Sequence, residues 1–73
     1  MAVLKTYDLN PDGVRIIVNW DAMVISSSVF ILSVNTQEAL TQIKKVMNAK
    51  GWKYQMQIRI EAEKLGVRVW RLS

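Results

Sequence analysis

The sequence predicts an α+β domain in which one helix packs on one face of a four-stranded antiparallel sheet, in the order ββαββ. Three observations carry that expectation. From Trp52 to Glu63 apolar and polar side chains alternate without a break; neighbouring side chains of a strand point to opposite faces, so the run describes a strand with one dry and one polar face. Asn35 and Glu38 have the spacing of a capping box, and Ala39, Leu40, Ile43, Val46 and Met47 follow at helical spacing up to Gly51. Two apolar runs precede the helix and one follows the alternating strand, so every element has a neighbour to pack on or pair with.

In chain order, residues 1–13 read as an amino-terminal arm or short edge strand. It ends in the turn Asn10 to Gly13, where Pro11 presets one backbone angle and Gly13 accepts angles closed to other residues. Val14, Ile16, Val18 and Trp20 then share one parity and read as a first strand. Asp21 to Ser28, broken by Ser26, Ser27 and Ser28, is an irregular connection to Val29 to Val34, which is apolar on both faces and reads as the first strand's hairpin partner. The helix is expected over about residues 36 to 49, capped by Asn35 and stopped by Gly51. Its apolar arc should lie on Trp52, Tyr54, Met56, Ile58 and Ile60, with Trp20 and Trp52 in the core. Glu63 to Gly66 reads as a tight turn, and Val67 to Leu72 as the returning strand.

The chain has 73 residues, enough for a single domain, 1–73, near the lower end of what folds without metal or disulfides. It has no cysteine and no histidine, which removes disulfides, a thiolate nucleophile, the usual metal ligand and the usual proton shuttle. The longest apolar run, Val29 to Leu32, falls far short of the roughly 20 residues that span a bilayer, so a soluble, intracellular protein without a membrane partner is expected. The formal charge of +4 is unevenly distributed. Through Ile43, Lys5 and Arg15 face Asp8, Asp12, Asp21 and Glu38; from Lys44 onward eight cations, Lys44, Lys45, Lys50, Lys53, Arg59, Lys64, Arg68 and Arg71, face only Glu61 and Glu63. The positive field belongs to the second half, where it would attract nucleic acid, an anionic membrane surface or an acidic protein patch.

No catalytic constellation is visible. Glu61 and Glu63 share a strand parity but stand next to Arg59 and Lys64, which reads as a solvated cross-strand charge pair rather than an acid-base dyad. The three serines have no base beside them in the sequence, and Gly13, Gly51 and Gly66 are scattered singly rather than in a phosphate loop. A non-enzymatic protein with no cofactor and no metal is expected. The constellation that does point to binding is basic and aromatic. Lys53, Gln55, Gln57 and Arg59 share the polar parity of the alternating strand, and Arg68 and Trp70, with Arg71 beside them, would join that surface if the hairpin register allows. Such sheet faces bind single-stranded nucleic acid, bases stacking on aromatic rings while Lys and Arg meet phosphates. The competing reading takes Trp70 into the core or over a sheet edge.

Trp20, Met23, Ser28 and Phe30, with the run from Gly66 through Val67, Arg68, Val69 and Trp70 to Arg71, resemble a group of small, mostly uncharacterised bacteriophage proteins. These carry a Trp-x-x-Met-x-Val-Gly-Asp-Ser-Phe-Phe-Val-Pro stretch and close on Gly-x-Arg-Val-Trp-Arg. The likeness covers about residues 20 to 71, and departs where Ser26 and Ser27 stand for Gly-Asp and Leu32 for proline. It implies a phage-type accessory protein in the host cytoplasm, working by stoichiometric binding. The expected function is therefore nucleic-acid binding through the basic sheet face. The alternative is a regulator or inhibitor of host machinery such as RNA polymerase, a nuclease or a CRISPR effector. The apolar side chains left on the sheet's second face, Ile17, Phe30, Leu32 and Val34 among them, call for a cover: the arm around Ala2, Val3 and Leu4, a partner protein, or, the preferred expectation, a second copy in a homodimer.

Overall fold

The computed structural model describes residues 8–73. Its regular elements are a 3-10 turn at Trp20–Ala22, strand β1 at Ser28–Leu32, helix α1 at Thr36–Lys50, strand β2 at Tyr54–Glu61 and strand β3 at Lys64–Arg71. The fold is α+β, and its sheet has three antiparallel strands in the order β1-β3-β2. Both outer strands run antiparallel to β3, so β1 and β2 are parallel to each other and α1 is the crossover between them.

The expected four-stranded sheet is thus corrected to three strands: residues 14–20 do not pair with β1. Ile16 instead exchanges both backbone hydrogen bonds with Leu9, at 2.6 and 3.0 Å, an isolated bridge closed by the Asn10–Gly13 turn. The turn itself is tied to the helix. Asn10 N–H donates to Gln42 Oε1 at 2.7 Å, and the Asp12 carboxylate accepts from Ser33 Oγ and from the amides of Val34 and Asn35. Those anchors hold residues 10–13 against the start of α1 and carry residues 14–19 away from the β1 edge. The alternation of Val14 to Trp20 is real, but it serves to turn Ile16, Val18 and Trp20 toward the core, not to build a ladder. Residues 1–7, which include the expected cover of Ala2, Val3 and Leu4, lie outside the described residues.

The helix forms where the sequence places it and runs one residue further, to Lys50. Asn35 Oδ1 accepts from the Glu38 amide at 3.2 Å, and Gly51 closes the carboxyl end in the left-handed region at φ 70°. The second half of the capping box is different. The Asn35 amide donates to Asp12, 2.8 Å away, while Glu38 takes a hydrogen bond from Gln42. Ala39, Ile43, Val46 and Met47 form the buried stripe and meet Ile31, Val67 and Val69 of the sheet, with Leu9, Trp20 and Met23 completing the core.

α1 covers less of β2 than its parity predicts. Trp52, Tyr54 and Met56 pack against the core, but Ile58 and Ile60 remain 45% and 72% exposed: in the row Ile31, Val67, Ile58 the first two are buried, so the cover lies over β1 and β3 and leaves the far half of the outer strand bare. The last turn is also shorter than expected. Ala62 and Glu63 alone make it, at φ 50° and 65°, a two-residue hairpin turn of the primed type, and Gly66 lies inside β3. A side chain at Gly66 would collide with the Ile31 carbonyl oxygen and stand 2.8 Å from Phe30 Cζ, so glycine here admits a ring rather than a bend.

Candidate functional site

The register decides which side chains share the face turned away from α1. Trp70 is opposite Ser28 on one side and Gln55 on the other; Arg68 is opposite Phe30 and Gln57; Gly66 is opposite Leu32 and Arg59; Lys64 is opposite Glu61. Directly paired residues point the same way, so these rows form one surface. Lys53, Gln55, Gln57, Arg59 and Lys64 are exposed on it, while Phe30, Glu61, Arg68 and Trp70 are half-buried. The sequence-predicted set therefore comes together at Lys53, Gln55, Gln57, Arg59, Arg68 and Trp70.

Arg71 does not join them. Its parity is that of the helix side, where its guanidinium stacks 3.8 Å from the centre of the Trp52 ring and donates to the Met23 carbonyl at 2.8 Å. It fastens the chain around the 3-10 turn to the end of the sheet. Trp52 is held from a second side by the Lys50 ammonium, 5.0 Å away.

On the open face the charged groups are organised around Glu61. Arg68 donates from Nε and Nη2 to the two carboxylate oxygens at 2.7 and 2.5 Å, a parallel fork, and its third nitrogen donates to Ser28 Oγ at 2.7 Å. The same guanidinium lies 5.5 Å from the centre of the Phe30 ring. Arg59 approaches Glu61 at 3.5 Å and stands 5.9 Å from the centre of the Trp70 ring. Hydrogen bonds from Arg68 hold the Glu61 carboxyl below the usual carboxylate range against the opposing cost of desolvation, and raise Arg68 in return.

Phe30 and Glu61 lie on the face the sequence expects for them, Phe30 among the second-face apolar groups and Glu61 beside Arg59 on the polar parity, but neither belongs to the expected binding set. The sequence presents Phe30 as an apolar group in need of a cover; its pairing with Arg68 sets the ring beside the cations instead. The cross-strand charge pair expected at Glu61 forms, but its strongest partner is Arg68 from across the hairpin rather than the sequence neighbours Arg59 and Lys64.

A second feature lies at the free edge of β1. A groove of about 570 Å³ runs between residues 14–19 and residues 29–32, ended by Asp12. Ser33 N–H bonds the Leu65 carbonyl at 3.1 Å, and the alternation of an antiparallel ladder then points the backbone groups of Phe30 and Leu32 into that groove. Among the described residues no helix is long and apolar enough to cross a membrane. Compared with protein-family models, with curated proteins and with solved structures, the chain matches none.

Proposed function

We propose that this is a non-enzymatic accessory protein of phage type, acting in the host cytoplasm, that binds single-stranded nucleic acid on the open face of its sheet. One observation carries the reading: the Trp70 and Phe30 rings lie on a face whose exposed positions include the amides Gln55 and Gln57 and the cations Lys53, Arg59 and Lys64, beside Ser28 and Leu32. Rings offer stacking to any base, amides offer hydrogen bonds to base edges, and cations neutralise phosphates. Arg68 lies beside the Phe30 ring and Arg59 beside the Trp70 ring, while Arg71 supports the face from behind.

Titration of labelled single-stranded and duplex oligonucleotides at low and physiological salt tests this. Binding should prefer single strands and weaken linearly with the logarithm of salt. Trp70→Ala should cost about 1–3 kcal/mol of affinity, the worth of one stacked base. Absence of binding at low salt, or an affinity indifferent to salt, refutes the reading.

The groove beside β1 favours a second one, a stoichiometric regulator of a host protein. An extended segment of the partner would add to the open edge of β1 and bury its apolar groups between Val14, Ile17 and Leu32. That protein would co-purify from bacterial lysate after nuclease treatment, whereas a nucleic-acid binder would lose its companions. A homodimer through the sheet would cover the same face as the oligonucleotide, so sedimentation with and without it separates self-association from binding.

A further inference from the structure

The Arg59, Glu61 and Arg68 cluster has the make-up of an occupied anion site. Two guanidinium groups converge on one carboxylate, from 3.5 Å and through a bidentate fork at 2.5 and 2.7 Å. A planar fork of this kind accepts a phosphate in the same geometry as a carboxylate. Arg68 is preset for it: Ser28 Oγ holds its third nitrogen and the Phe30 ring lies beside it, so its direction does not depend on Glu61 alone. Arg59 spans the distance between this anion position and the Trp70 ring. A base stacked on Trp70 would carry its backbone toward the point where the carboxylate sits.

Resting on the nucleic-acid reading above, we propose that Glu61 is an intramolecular stand-in for a backbone phosphate, filling the Arg59–Arg68 subsite in the free protein and leaving it when a strand binds. The cluster then acts as a gate on affinity. Glu61 suppresses loose association with any anion and yields only where stacking on Trp70 brings a phosphate into place. Displaced, the carboxylate lies at the end of β2 next to the Ala62–Glu63 turn, with solvent and Lys64 close by.

The test is affinity for labelled oligothymidylate across a range of salt, with Glu61→Gln and Glu63→Gln compared. Both variants remove one negative charge from the same hairpin, but only the first releases Arg68. Glu61→Gln should bind about three- to tenfold tighter at low salt, and the slope of log affinity on log salt should steepen by at most about 0.7, because no freed carboxylate recovers a cation as the phosphate enters. Glu63→Gln should change both far less, and adding Arg59→Ala to Glu61→Gln should remove most of the gain. Glu61→Asp, which keeps the charge and shortens its reach, should shift affinity in the same direction by a smaller factor and serves if the glutamine variant does not fold.

Equal gains from Glu61→Gln and Glu63→Gln would reduce the effect to net charge and overturn the proposal. So would wild-type binding that Glu61→Gln leaves unchanged or weakens, or loss of the fold in both Glu61 variants, which would make the carboxylate a structural tie. No binding by the wild type or any variant would instead overturn the nucleic-acid reading itself, and the proposal with it.

Discussion

At Ser26 the backbone holds φ 72°, in a turn closed by the Ser27 amide on the Val24 carbonyl at 3.1 Å. A side chain in this region costs about 1–2 kcal/mol, which glycine would not incur. The resembled phage pattern has glycine at this position. Glycine also loses more chain entropy on folding, by roughly 0.5–1 kcal/mol, so the two effects partly cancel. Ser26→Gly should therefore stabilise the domain by about 0.5–1 kcal/mol, read as an upward shift of the denaturant midpoint. Gly66 is the opposite case. Its φ is not left-handed, and its reason is space: Gly66→Ala forces the Cβ onto the Ile31 carbonyl and should cost at least about 1–3 kcal/mol. An unchanged midpoint for Gly66→Ala would contradict the close approach of β1 and the Phe30 ring.

The elements divide by how local their causes are. Helix α1 is specified by residues within one turn of each end, Asn35 with Glu38 and the Gly51 stop, and was legible. Strand β2 was legible because a period of two survives over its whole length. The segment 14–20 has that period too, yet its pairing depends on Asp12 reaching the amides of Val34 and Asn35, residues more than twenty positions away, and no local pattern announces that. The open face was legible for the same reason as β2, down to Arg59, whereas Arg71 was misjudged as part of it because adjacency to Trp70 in sequence means opposition in a strand. The incomplete reach of α1 along β2 sets a contrast for mutagenesis. Ile43→Ala, fully buried in the helix stripe, should cost about 2–5 kcal/mol. Ile60→Ala, 72% exposed on the nominal helix side, should stay within about 0.5 kcal/mol. Comparable losses at both sites would mean that the helix extends its cover further than the structure has it.

For the whole molecule, two carboxylates titrate low, Asp12 tying its turn to the start of α1 and Glu61 tying the two strands of the last hairpin. Asp12 is held down first by the Asn35 amide, then by the amide of Val34, with the Ser33 hydroxyl contributing; Glu61 is held down by its hydrogen bonds from Arg68. A carboxylate whose native pKa lies below its unfolded value stabilises the fold fully above the unfolded pKa, and that contribution drains away as the pH falls through the native one. The thermal midpoint should thus carry these contributions down to about pH 5 and lose them below about pH 4. In Asp12→Asn and Glu61→Gln the midpoint should be lower at neutral pH and the acid slope shallower. With no histidine and no cysteine in the chain, no side chain of ordinary pKa titrates between about pH 5 and 8 to produce a step there.

β3 comes last of the three strands in the chain and sits in the middle of the sheet. During synthesis, β1 therefore emerges with neither of its edges matched, and β2 follows it without being able to pair with it. Val29 waits for Val69. At ordinary elongation rates of about 5–20 residues per second, that wait is on the order of 2–8 seconds. Until then β1 and α1 lack the strand they pack on, so assembly of this sheet is a late event that awaits the synthesis of its central strand.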